Sequence, residues 1–158
     1  LSLEIKKNLP VLRVNPLEFV QIIMNILINA DEAQKARKLP ENRKNEVHSP
    51  ITLRAETINK REIQEMISSL ITPDVIKISN GNLVDRFLHI TCRDNGVGIK
   101  EKNENEVFNP FYTKKEHGTG LGLAICVNLI QKMHGFVGFN SQFAEGTSFH
   151  IFFPESSS

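Results

Sequence analysis

The chain has 158 residues, with 19 Lys+Arg against 18 Asp+Glu, a formal net charge of +1, and 40% apolar and 23% charged residues. Those figures fit one domain with a real core, exclude wholesale disorder, and argue against a surface that holds nucleic acid or membrane mainly by charge. No apolar run approaches the roughly 18 residues of a membrane span and no signal-peptide pattern opens the chain, while two cysteines, Cys92 and Cys126, are too few for a disulfide framework and suit a reducing compartment.

In chain order, the first strong element is a helix over 16–37. Asn15 is a good N-cap, Pro16 suits the first helical position, and Lys35, Arg37 and Lys38 suit the C-terminal end of the dipole. Residues 38–50 are polar with two prolines and read as loop. A strand is predicted over 51–58, and a short helix over 60–71 with Ile63, Met66, Ile67 and Leu70 on one face. Further strands follow at 74–79 and 86–92, with SNGN between them as a hairpin turn. Residues 100–117 are charged and glycine-free and carry Phe108, Phe111 and Tyr112. A second long helix over 120–134 stops at His134-Gly135, and a hairpin over 136–140 and 147–153 closes the chain. This order fits one sheet covered on one face by helices.

Three local patterns carry chemistry. In the first helix, Glu18, Gln21, Asn25, Asn29 and Glu32 fall at spacings of 3, 4, 4 and 3 and so share one face. Two neutral amides one turn apart, each costing about 0.5 kcal/mol in a helix, suit a cavity in which an amide oxygen meets a hard cation and an amide N–H meets phosphate. Spacing alone leaves open a partly exposed face that happens to hold two asparagines. The second pattern is glycine clustering: five of nine glycines lie between Gly96 and Gly122. In RDNGVGI, Gly96 and Gly98 allow backbone to pass close to a ligand and Asp94 offers an acceptor to an exocyclic amine, although a plain Asp-Asn-Gly turn would give the same string. In HGTGLGLAI, a glycine-rich loop runs into a helix N-terminus, where free N–H groups and the dipole favour an anion; a helix packed closely through small residues is the alternative. It is not a Walker A loop, since no Gly-Lys-Ser/Thr follows, and Leu123 replaces the third glycine of a Rossmann loop.

Together these residues resemble the ATP-binding catalytic domain of bacterial sensor histidine kinases, in the superfamily shared with DNA gyrase, mismatch-repair ATPases and a heat-shock chaperone. The motifs run in family order: an asparagine box NILINADEA (25–33), a first glycine box DNGVGI (94–99), a phenylalanine box FNPFYTKK (108–115), a second glycine box GTGLGLAI (118–125) and a closing EGTSF (145–149). The resemblance covers 10–154. It implies an α+β fold, a two-layer α/β sandwich of the Bergerat type. Its mixed, mostly antiparallel sheet is covered on one face by helices, with an ATP lid at about 100–117 and the whole of 1–158 as a single catalytic domain. It also implies ATP and Mg²⁺ as cofactors.

By position, Asn29 matches the Mg²⁺-ligating asparagine and Asn25 its companion toward phosphate or metal-bound water; these two are the catalytic candidates. Asp94 matches the aspartate that reads the adenine amine, with Gly96, Gly98, Ile99 and Thr147 around the base. Gly118, Thr119, Gly120, Leu121, Gly122 and Leu123 match the phosphate loop, Lys115 a lid lysine, and Phe108 and Phe111 the aromatics that dock the lid. Glu32, among the nucleotide-binding candidates, stands where many relatives carry a basic phosphate contact, so a different phosphate contact or none is expected there.

Asn25 occupies the place of the water-activating glutamate of hydrolytic relatives, and a neutral amide cannot act as a general base. That favours transfer of the γ-phosphate to a histidine on a separate dimerisation and phosphoacceptor domain, with a receiver domain of a response regulator downstream. The alternatives are a hydrolytic ATPase or nucleotide-driven switch, or a serine kinase of a regulatory protein. None of the five histidines stands in a His-acidic-Arg-x-Pro context, so the phosphoacceptor domain is expected to lie outside this chain. The isolated domain is expected to be monomeric, the full-length kinase a homodimer, and the location cytoplasmic, as part of a sensor that could itself be membrane-bound. Asn29 and Asp94 lie 65 positions apart, more than most relatives need, and the surplus is expected within 38–85 as an elaborated edge or a partner surface.

Overall fold

The computed structural model describes residues 1–37, 51–73, 85–113 and 118–156. Its elements are β1 (Ser2–Ile5), α1 (Pro16–Lys35), β2 (Thr52–Asn59), α2 (Lys60–Ile67), β3 (Arg86–Arg93), a 3-10 helix (Glu101–Glu106), α3 (Gly122–Lys132), β4 (Phe136–Gln142) and β5 (Gly146–Pro154). The expected strand at 74–79, its SNGN turn and Lys115 lie outside the described residues. Among the described residues, no helix is long and apolar enough to cross a membrane.

The five strands form one sheet in the order β1-β2-β3-β5-β4. Only β1–β2 is parallel; β2–β3, β3–β5 and β4–β5 are antiparallel. The sheet is therefore mixed and mostly antiparallel, as expected. β1 itself is an addition to the sequence reading: four residues with Leu3 and Ile5 still exposed give too short an alternation to register.

Strand alternation divides the interior in two. Leu88, Ile90 and Cys92 of β3, Phe149, Ile151 and Phe153 of β5, and Val137 and Phe139 of β4 face α1 and α3, where Ile22, Ile26, Ala30, Cys126, Val127 and Ile130 complete the main core. Burying Ile22 and Ile26 to 0% and 1% exposure contributes about 1.5–3 kcal/mol each, more than the helix-propensity cost of the nearby asparagines. The opposite face carries a second, smaller core of Ile58, Phe87, Phe136 and Phe152 under Ile63, with Met66, Ile67 and Leu70 packed on it. Thus α1 and α3 cover one face in a two-layer arrangement, and the short helix α2 adds a patch of cover on the other.

Helix α1 begins as its sequence dictates. The Asn15 Oδ1 accepts from Leu17 N–H at 2.9 Å, and Pro16 occupies the first turn. A capping box opens α2, with Asn59 accepting from Glu62 N–H and Glu62 accepting from Asn59 N–H. It ends at Ile67, four residues earlier than expected, because the chain then turns and pairs Ile71 with Phe139 on the free edge of β4. The described stretch 51–73 thus contributes both to the outer face and to the rim at β4. At the end of α3, the left-handed residue is His134 (φ 56°) and not Gly135. Gly135 is required for a different reason: a Cβ there would sit 2.5 Å from the Phe152 carbonyl oxygen.

Candidate functional site

The polar stripe of α1 does not face solvent along its middle. Glu18 pairs with Lys132 of α3, and the Asn25 Nδ2 donates to the Gly122 carbonyl at 3.3 Å, so the stripe runs across to the start of α3. Asn25, Asn29 and Glu32 then line a cavity of about 450 Å³, a usual size for a small-molecule site. The exposed apolar residues of α1 are Leu17, Val20, Met24 and Ile28, at 48–80% exposure, which form a second stripe along the helix that reaches the cavity at Ile28.

One end of the cavity is built by the loop after β3. Asp94 lines it at 3% exposure. Its Oδ1 accepts from Gly96 N–H at 2.7 Å, the Thr147 backbone also bonds its carboxylate, and its own N–H donates to the Thr147 carbonyl at 2.9 Å. Burial pushes the Asp94 carboxyl above the ordinary value, opposed by those two backbone bonds. Gly98, Ile99, Thr147 and Phe149 line the same end.

The loop is seated on α1 and on the β4–β5 turn. Val97 N–H donates to the Ala33 carbonyl, and the Arg37 guanidinium donates to the Asn95 carbonyl at 2.6 Å. Gly96 does not line the cavity. A Cβ there would lie 2.5 Å from the Ala33 carbonyl carbon, so its close approach is to the helix backbone. Gly98 lines the cavity and also adopts φ +65°, with no room for a Cβ against the Gln142 carbonyl.

At the other end, Gly118, Thr119, Gly120, Gly122 and Leu123 line the cavity; Leu121 does not. Gly120 is left-handed (φ +66°), and a Cβ there would meet the Phe111 backbone at 2.4 Å. The Phe111 N–H donates to the Gly120 carbonyl, which ties the phenylalanine box to the glycine loop. Phe108 docks as expected, buried against Phe139 and Phe149. Phe111 does not: at φ 68° its ring is 74% exposed, and its contribution is the backbone bond. The cavity wall also includes Ile28, Ala33, Val107, Tyr112 and Thr113, which sequence reasoning missed. Among the described residues, the buried Tyr112 hydroxyl finds no hydrogen-bond partner. The pattern FNPFYT was visible, but nothing in its spacing says which aromatic turns inward.

Both cysteines are buried and free, and burial pushes their thiols up, Cys92 to about 12 and Cys126 to about 11, so neither is a nucleophile at neutral pH. Among the described residues, no group of three or more His, Cys, Asp or Glu side chains could hold a metal by itself.

Comparison with known proteins identifies the family and the fold. The family model for histidine kinase-, DNA gyrase B-, and HSP90-like ATPases matches residues 14–157. Sporulation kinase A of Bacillus subtilis (strain 168) is 35% identical over 104 residues, 61% of this chain and 17% of that protein. Sensor kinase CckA of Brucella abortus (strain 2308) is 30% identical over 140 residues, 87% of this chain and 12% of that protein. The chain therefore spans less than a fifth of these relatives. Among solved structures, the nucleotide-free catalytic domain of histidine kinase ThkA has a TM-score of 0.63 at 20% identity, covering 99% of this chain and 80% of that one. Full-length ShkA in complex with AMPPNP has a TM-score of 0.62 at 19% identity, covering 99% of this chain and 26% of that one. These two establish likeness of fold. With the family match over nearly its whole length, the chain belongs to the histidine kinase-, DNA gyrase B-, and HSP90-like ATPases.

Proposed function

We propose that the cavity binds ATP and that the chain is the catalytic part of a sensor histidine kinase, passing the γ-phosphate to a histidine on a separate dimerisation and phosphoacceptor domain, from which it reaches a receiver domain. The observation that carries this reading is the placement of the buried Asp94 acceptor at one end of a single cavity and the glycine loop before α3 at the other, with Asn25 and Asn29 lining it between family-ordered motifs.

In this reading Asp94 and Thr147 accept from the adenine amine, directly or through water, and Gly98 and Ile99 form the base wall. The loop Gly118–Leu123 presents backbone N–H groups to the phosphates at the N-terminus of α3, where the dipole also favours anions. Lys115 is proposed as an additional phosphate contact. Asn29, with Asn25 and Glu32 near it, offers hard oxygen donors that fit Mg²⁺. They are too few to cage an ion alone, which suits a metal whose remaining positions belong to phosphate and water. Bound there, Mg²⁺ would offset phosphate charge. The chain's own task is positioning and electrostatic stabilisation, which is most of what phosphoryl transfer asks of a protein. The exposed stripe Leu17, Val20, Met24 and Ile28, which reaches the cavity at Ile28, suits an approaching phosphoacceptor helix.

The test is titration of a fluorescent ATP analogue with and without Mg²⁺, repeated with Asp94→Asn. Mg²⁺ is expected to strengthen binding and Asp94→Asn to weaken it at least tenfold, since a charge-assisted bond is worth about 1.5–3 kcal/mol. Undetectable binding by the folded domain at millimolar nucleotide refutes the reading. Steady ATP turnover by the isolated domain would favour the hydrolytic alternative.

A further inference from the structure

Ser141 lies on β4 directly across from Thr147 on β5, outside the nucleotide cavity. Its hydroxyl makes three contacts, each at 2.9 Å. It accepts from the Ile99 N–H, it bonds the Gly146 carbonyl, and it bonds the Thr147 Oγ1. A serine hydroxyl has one proton and two lone pairs. A carbonyl only accepts, so the Ser141 proton goes to Gly146. An amide N–H only donates, so one Ser141 lone pair is taken by Ile99. The second lone pair must then receive the Thr147 proton.

The geometry points to Ser141 as a positioning residue that sets base specificity, an inference that rests on reading the cavity as an adenine-nucleotide site. By drawing the Thr147 proton away from the cavity, Ser141 leaves the Thr147 oxygen facing the ligand as an acceptor. Asp94 beside it offers carboxylate oxygens, two of whose lone pairs are already held by Gly96 and Thr147 backbone. The base end of the cavity therefore carries acceptors on both side chains. It favours a purine whose 6-substituent is an amine donor over one whose 6-substituent is a carbonyl, because the carbonyl would face acceptors only and lose its own hydrogen bond on burial. The same serine also locks Ile99, so base wall and acceptor are set by one hydroxyl.

The test compares ATP with ITP, which carries an oxo group in place of the 6-amine and a proton on N1, by competition against a fluorescent ATP analogue. The unmutated domain is expected to prefer ATP by about a hundredfold. In Ser141→Ala the Thr147 hydroxyl is free to turn and donate, so the ATP-over-ITP ratio is expected to fall about tenfold. Ser141→Thr restores a hydroxyl and is expected to restore the ratio. A merely structural serine would weaken both nucleotides alike and leave the ratio unchanged, which overturns the inference, as does a Ser141→Thr variant that is folded but no more selective than Ser141→Ala. If the unmutated domain binds neither nucleotide, the ATP reading fails first; if it binds both equally, that reading stands and this inference falls.

Discussion

Replacing Gly96 by alanine isolates the contact that seats the base loop on α1. The new Cβ would lie 2.5 Å from the Ala33 carbonyl carbon and 2.7 Å from the Ala33 Cβ and carbonyl oxygen, where ordinary contacts begin at 3.4 Å. Ala33 backbone belongs to a 20-residue helix and cannot swing aside as a side chain would. Relief requires the loop and helix to part by about 1 Å, and overpacking of this kind costs about 1–3 kcal/mol. The Val97 N–H to Ala33 carbonyl bond, at 3.1 Å, lies in the same gap, and its loss adds about 1 kcal/mol. At roughly 2–4 °C per kcal/mol for a chain of this size, the melting temperature is expected to fall by about 4–16 °C. Because Asn29 and Glu32 ride on the displaced helix and Asp94 on the loop, nucleotide affinity is expected to fall by between about tenfold and a hundredfold. Gly122→Ala is the control for stability alone, since Gly122 itself lines the cavity. Nothing lies closer than 4.0 Å to its Cβ, and at the start of α3 it is expected to be neutral or to stabilise by up to about 1 kcal/mol. Scanning fluorimetry and a titration with labelled ATP measure both quantities. A Gly96→Ala protein that melts within about 1 °C of the parent and binds equally well refutes the seating of the loop on α1. An equal fall in melting temperature from both substitutions would refute the steric argument.

Two other expectations concern buried polar groups. Tyr112→Phe removes a buried hydroxyl that finds no partner among the described residues, so thermal stability in the absence of ligand is expected to hold or rise by up to about 1 kcal/mol, while nucleotide affinity falls if that hydroxyl serves the ligand; loss of stability would show that the hydroxyl is already satisfied. On the outer face, His89 Nε2 and His150 Nδ1 are 3.0 Å apart. Burial holds both imidazoles below the usual histidine value, His150 at about 4 with the neighbouring His89 adding to the effect. Glu56, itself paired with Lys6 and Arg54, faces His89. A histidine whose folded value is depressed leaves the unfolded chain binding more protons between about pH 6.5 and 4, so stability falls as pH falls through that window, by up to about 1.4 kcal/mol per pH unit for one such group. Denaturant titrations from pH 8 to 4 are expected to show this slope, and His150→Gln to reduce it; an unchanged slope in the variant would locate the proton uptake elsewhere.

The parts of the fold that were legible are those in which local chemistry and periodicity coincide. Helix α1 carries its cap, its first-turn proline and 20 periodic residues, and β5 alternates through Phe149, Ile151 and Phe153. Spacing put Asn25 and Asn29 on one helix face, and the family resemblance singled out Asp94 and Thr147; all four line one cavity. What escaped depends on contacts between distant segments. The demand for glycine at position 96 comes from Ala33, more than sixty residues earlier, and looks in sequence like a ligand loop. Ser141 is an unremarkable strand serine until β4 and β5 pair. Which face of the sheet α2 covers follows from the alternation of Phe87 and Leu88 to opposite sides, and no property of the helix itself reveals it.

The strand order has a practical consequence. Asp94 and Thr147 sit at the ends of neighbouring inner strands β3 and β5, whereas α2 and the Ile71 pairing attach to the outer face and to the rim at β4. No described residue between 51 and 73 reaches the nucleotide cavity. That stretch is a module with its own small apolar anchor of Ile63, Met66 and Ile67. It is a natural position for grafting: a fluorophore or a foreign helix placed on the solvent side of α2, at Arg61 or Glu65, would report on the domain from a distance without touching the residues that line the cavity.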